Sequence, residues 1–164
     1  MYRVTIAIVD ASRARLFQFE RTSGPEGLRD ELGEVSDLVN PVRRTRPSAV
    51  FSDSGPSANH SGDHGYTFDD HRDDHMAKFD AEFAVAITAE LDRLASGADR
   101  IVICASPRML GQLREARQGT RPLRIDELPR DLAKLTAAQL RVQLASYGVL
   151  PEPLPGAPRS EGRT

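Results

Sequence analysis

The chain has 164 residues, enough for one domain with tails, and its hydrophobic content of 39% is low enough to leave part of it as loop. A formal net charge of −2 gives no overall pull toward nucleic acid or an anionic membrane. The single cysteine, Cys104, excludes an internal disulfide and fits a reducing cytoplasm. No apolar run is long enough to span a bilayer, and the N-terminus lacks a basic-then-apolar signal segment, so the expected location is cytoplasmic with no membrane partner.

The first strong signal is VTIAIVDASRARLFQFE, Val4 to Glu20. Two runs rich in β-branched and aromatic residues flank the polar break Asp10-Ala11-Ser12-Arg13, and their apolar positions repeat at two. This predicts a β-hairpin, strand one over about 3–9 and strand two over about 14–20. Residues 22–27 read as a turn, and Leu28, Leu32, Val35 and Leu38 give a mixed signal best met by a third strand over about 28–36.

From about 40 to 66 Gly, Ser, Pro, Asn and Asp dominate, which predicts a long polar loop. Thr67-Phe68-Asp69-Asp70 reads as a capping box, opening a helix to about Ser96 with Met76, Phe79, Phe83, Ile87, Leu91 and Leu94 as its apolar stripe. Arg100 to Ala105 reads as a strand buried on both faces, and Ser106-Pro107 as the start of a helix closed by Gly119. A fifth strand follows over 123–128, then a last helix with Thr136 and Gln139 as a capping box and Gly148 as its stop. This assigns 1–148 to one α/β domain and 149–164 to a disordered Pro/Gly-rich tail. The order β-β-β-α-β-α-β-α makes the sheet mixed, with strands four and five parallel to strand one, which is the ribonuclease H-like arrangement.

Four stretches carry a resemblance: IVDASRARLFQFE (8–20), FAVAITAEL (83–91), IVICASPRMLGQLREA (101–116) and DELPRDLAKLTAAQL (126–140). Their order and spacing resemble the bacterial host-attachment protein family, also described as proteins required for attachment to host cells. The resemblance implies a ribonuclease H-like α/β domain similar to the middle domain of eukaryotic-type release factors, the translational machinery component fold. Release factors carry a Gly-Gly-Gln tripeptide, and this sequence has none; its loop offers Ser-Gly-Asp-His-Gly-Tyr at 61–66 instead. The resemblance therefore leaves an RNA- or ribosome-binding role without that hydrolytic element as an alternative.

Three constellations are candidates for chemistry. All four histidines, His60, His64, His71 and His75, lie in one stretch with Asp63, Asp69, Asp70, Asp73 and Asp74 among them. Imidazole with carboxylate suits a divalent transition metal, the candidate cofactor of a hydrolase reading. His71 and His75 share one helix face, away from the apolar stripe. A solvated, acid-rich helix start explains the same residues without a metal and outweighs it; a pH-responsive loop is a third reading. The second constellation is the carboxyl edge of the sheet, where open α/β sheets bind ligands. It gathers Asp10, Ser12, Arg13, Ser106, Arg108 and Asp131. Turn capping accounts for Asp10 and Ser12 more simply than a two-metal site, since the end of strand four adds no acid. The third is Arg43, Arg44 and Arg46, which offer phosphate contacts but lack interleaved aromatics. The reading with most support is a cytoplasmic binding domain acting on a macromolecular partner through its loop and sheet edge. An RNA- or ribosome-associated factor and a metal-dependent hydrolase are the alternatives.

Overall fold

A computed structural model describes residues 1–44, 67–118 and 124–155, without the side chains of Arg44 and residues 67–73. Five strands form one mixed sheet in the order β3-β2-β1-β4-β5. They are β1 (Tyr2–Val9), β2 (Arg13–Gly24), β3 (Gly27–Val39), β4 (Arg100–Cys104) and β5 (Ile125–Leu128). The helices among the described residues are α1 (Pro41–Arg44), α2 (Thr67–Leu94), α3 (Pro107–Ala116) and α4 (Ala137–Ser146). β2 pairs antiparallel with β1 and with β3, while β4 runs parallel to β1 and β5 parallel to β4.

Alternation along β1 divides the core. Ala7 and Val9 face α2 and α3, packing with Leu16, Phe83, Ile87, Leu91, Ile103 and Leu113. Val4, Ile6 and Ile8 face the other way, with Phe17, Phe19, Leu140 and Leu144 under α4. The central strands are thus covered on both faces, which is why RIVIC reads as a continuous apolar run. Thr5 Oγ1 and Gln18 Nε2 donate to the carbonyl of Leu94, supplying partners for the end of α2.

The third strand is longer than its sequence suggests, and cross-strand charge explains it. Arg13 pairs with Asp37 (2.6 Å), Arg15 with Glu34 (2.7 Å) and Arg21 with Asp30 (2.6 Å), each across the β2–β3 ladder. The hairpin turn tightens to Pro25 and Glu26, with Gly27 at φ 105° where a side chain would be strained. A bulge at Leu16/Phe17 and the acids of β3 blunt its outer edge against strand addition.

Local signals in the later half appear where expected. Ser106 caps α3, accepting from the Met109 amide at 3.3 Å, with Pro107 in the first helical position. Thr136 and Gln139 bond reciprocally at the start of α4 (3.3 and 3.0 Å). Gly148, at φ 69°, ends that helix, but the packed chain continues beyond it. Val149 and Leu150 are buried against the α4 side of the sheet, and Arg21 Nη2 donates to the Glu152 carbonyl. Residues 149–155, expected as part of the tail, are described, and two apolar side chains pack just after the helix stop; residues 156–164 lie outside the described residues. Residues 40–44, expected as loop, hold a buried Asn40 and the short helix α1. The rest of the predicted loop, 45–66, lies outside the described residues.

Two carboxylates tie acid sensitivity to this architecture. Asp30 accepts from Arg21 and from Arg141 (2.6 and 2.7 Å), whose guanidinium also lies over the Phe19 ring at 5.0 Å. The Arg21 hydrogen bond first, then that of Arg141, holds the Asp30 carboxyl below its usual range. The Arg93 guanidinium, with help from Ser36, lowers Glu90 from 4.5 to about 2. Both folded values lie below the unfolded ones, so the stabilisation is complete above the ordinary carboxylate range and is lost as pH falls through the folded values. Urea denaturation is expected to show stability declining between about pH 4.5 and about pH 2, with the decline shallower in Asp30→Asn/Glu90→Gln. Parallel declines in the two proteins would remove these pairs from the account.

Candidate functional site: the carboxyl edge of the sheet

The β1–β2 turn is the centre of this edge. Asp10 Oδ1 accepts from the Ser12 amide (2.7 Å), the Ser12 hydroxyl (2.8 Å) and the Arg13 amide (2.7 Å), while the Asp10 amide donates to the Arg13 carbonyl (2.9 Å). Asp10 and Ser12 therefore cap the turn. Ser12 Oγ directs its proton to a carboxylate that already caps two amides, which is a structural rather than a nucleophilic arrangement.

A second layer locks this turn to α2. The Asn40 amide donates to the Ser12 carbonyl (2.8 Å), and Asn40 Nδ2 donates to the Ala11 carbonyl (3.1 Å) and to Asp80 Oδ1 (3.2 Å). Arg43 Nε and Nη2 donate to Asp80 Oδ1 (3.1 Å) and Oδ2 (2.5 Å). Asp80 is buried (2% exposed) and Asn40 is too (1%), while the Arg43 side chain keeps 31% of its surface in solvent. The hydrogen bond to Asp80 raises the Arg43 pKa above its usual range, so the guanidinium stays charged throughout.

Asp80 and Asn40 are the residues that the sequence reading missed. Asp80 had a legible signal: it follows Met76 by four and precedes Phe83, Ala84 and Ile87 by three, four and seven, so it sits on the apolar stripe of α2. A carboxylate on a buried stripe requires a partner. Its partners come from just after β3, beyond a gap in sequence that periodicity cannot bridge.

The remaining edge residues divide by role. Arg13 is exposed and held bidentate by Asp37 (2.7 and 2.6 Å), with Glu34 at 3.9 Å. A cleft of about 320 Å³ opens beside it, lined among the described residues by Ser12, Arg13, Asp37 and Val39. Ladder register puts Ile8 beside Cys104 and Cys104 beside Leu128, so Asp10, Ser106 and Asp131 all follow strand carboxyl ends. Ser106 serves as the α3 cap, Asp131 Oδ1 accepts from the Ala133 amide (3.1 Å), and Arg108 is exposed on the first turn of α3.

The other constellations fall partly beyond view. His60, His64 and Arg46 lie outside the described residues, as do the side chains of His71 and Arg44; His75 is exposed on α2. No group of three or more His, Cys, Asp or Glu among the described residues could hold a metal ion. No helix among them is long and apolar enough to cross a membrane.

Cys104 is fully buried in β4, and desolvation pushes its thiol up to about 12. In the native protein it is expected to resist a thiol-specific chromogenic reagent at pH 8, reacting fully in urea. Rapid native reaction would show that the core opens at β4.

No curated protein matches the chain. The family model described as "Protein required for attachment to host cells" matches residues 5–144, from β1 through most of α4. That span includes all of the sheet but the first residues of β1, the carboxyl-edge turn and the Asn40, Arg43 and Asp80 that lock it, and the chain belongs to this host-attachment family.

Proposed function

We propose that the protein is a small cytoplasmic binding domain of the host-attachment type, acting on a macromolecular partner through the carboxyl edge of its sheet and the polar stretch at about 40–66. The observation that carries this reading is the locked β1–β2 turn. Asp10, Ser12, Asn40, Arg43 and Asp80 direct their hydrogen bonds to one another and to backbone, which builds a shaped surface. Recognition needs such preorganisation, because a rigid surface avoids the ordering cost of association. The sheet order β3-β2-β1-β4-β5, with β2 antiparallel and β4 parallel to β1, supports the ribonuclease H-like assignment of the fold.

The second reading is an RNA- or ribosome-associated factor without a Gly-Gly-Gln element. Arg43, Arg44 and Arg46, which begin the polar stretch directly after the sheet edge, favour it. Sucrose-gradient sedimentation of a lysate separates the two. Binding through phosphates puts the protein in ribosomal fractions at low salt, releases it at high salt and fails for Arg44→Ala/Arg46→Ala, a variant that keeps Arg43 on Asp80. A protein partner gives a complex that survives nuclease treatment. A protein that sediments alone after chemical cross-linking, in both lysate and nuclease-treated lysate, would overturn the partner reading. The hydrolase alternative is tested by the metal content of tag-free protein against His71→Ala/His75→Ala; one ion per chain, lost in the variant, would move it to the front.

A further inference from the structure

We propose that Asp80 is a positioning residue that joins the strap α1 and the β1–β2 turn into one cooperative unit, so that drawing Arg43 away from Asp80 loosens the turn. The path is continuous. Arg43 binds both oxygens of Asp80 (3.1 and 2.5 Å), Asp80 Oδ1 also holds Asn40 Nδ2 (3.2 Å), and Asn40 grips the turn at the Ala11 and Ser12 carbonyls (3.1 and 2.8 Å). Ser12 in turn donates twice to Asp10, the residue that caps the turn.

Two features make this a coupled network rather than a row of separate bonds. The Asn40 amide has one workable orientation: turned over, its oxygen would face the Asp80 carboxylate and the Ala11 carbonyl, both acceptors. In that orientation Asn40 Oδ1 is buried without a hydrogen-bond partner among the described residues. The amide therefore depends wholly on its two donor contacts, and Asp80 supplies one of them. The second feature is location. Asp80 lies on the buried stripe of α2 where an apolar residue would pack against Phe83, Ala84 and Ile87, so a carboxylate there has a role other than filling volume. In a low-dielectric setting each bond polarises the next, and loss of one member weakens the others.

This inference stands apart from the identity of any partner. The consequence for binding is that the exposed side of Arg43 and the turn at Asp10–Arg13 respond together, linked among the described residues through the buried Asp80 and Asn40.

Hydrogen exchange read by mass spectrometry on the full chain tests it. Arg43→Ala removes the guanidinium as a competing anion would; Asp80→Asn keeps the shape and removes the charge. In both, at labelling times too short for the β4 and α3 peptides of either variant to exchange, peptides covering the β1–β2 turn are expected to exchange roughly tenfold faster than in the parent, as do those covering 40–44. Acceleration confined to 40–44 would overturn the coupling and leave a simple tether. Turn peptides that lose protection only together with β4 and α3, or that lose none, would overturn it equally, since the first reports global unfolding alone and the second an unneeded carboxylate.

Discussion

Phe19→Ala is expected to lower the free energy of unfolding by about 3–5 kcal/mol, measured as a shift in the urea midpoint with unchanged slope. Phe19 is fully buried on β2, in the cluster under α4 with Val4, Ile6, Leu140 and Leu144. Its ring also meets two further groups: the Arg141 guanidinium over one face at 5.0 Å and Tyr2 edge-on at 6.5 Å. Arg141 is held in place by Asp30, so it cannot follow a shrinking side chain to fill the space. Truncation thus combines a lost transfer term, a cavity that relaxes poorly and a lost cation–π contact, which favours the upper part of the range. Leu28→Ala on β3 is the control; its side chain is half exposed, and the change is expected to stay within about 0.5 kcal/mol. A Phe19→Ala loss below about 1 kcal/mol would mean that α4 does not close a cooperative core on this side of the sheet.

The elements readable from sequence were those stabilised by neighbours in the chain. The β1–β2 turn announces itself through Asp10, whose carboxylate accepts from the amides two and three residues on, and through Ser12, whose hydroxyl donates to the same oxygen. The starts of α3 and α4 are equally local, a Ser-Pro cap and a Thr/Gln capping box. Strand β3 gave only a mixed pattern because its stability comes from arginines on β2, through pairs such as Arg21–Asp30 that no single-strand periodicity reveals. Val149 and Leu150 were obscured by the prolines after them, although two apolar residues just past a helix-ending glycine are a usual place for a closing contact. At the site, Asp10 and Ser12 were identified with both a functional and a capping role, and the geometry displays the capping one. Asn40 and Asp80 were missed because their meaning is relational. Each is unremarkable alone, and only the return of α2 along the sheet makes one the other's partner.

That relation yields the second large effect. Arg43→Met is expected to destabilise the protein by about 2–3 kcal/mol, below the usual range for breaking a buried pair because water already reaches part of the guanidinium. The Asp80 carboxylate, with a side chain only 3% exposed, would then be left with Asn40 Nδ2 as its remaining side-chain donor among the described residues. Adding Asp80→Leu should recover stability rather than lose more. The leucine would extend the apolar stripe of α2 toward Phe83 and Ile87, and Asn40 would keep its bond to the Ala11 carbonyl. Urea denaturation of the two single variants, the double variant and the parent closes the cycle. A double variant at least about 1 kcal/mol more stable than Arg43→Met would show that the carboxylate, once unpaired, is a liability to the fold. The native pair would then be retained for the geometry it imposes on the turn, and the recovered double variant should still exchange rapidly at Asp10–Arg13. If instead the double variant is less stable than either single one, Asp80 contributes to stability through packing or through bonds other than those of Arg43. The apolar replacement separates these cases because it restores burial without restoring the link to the turn.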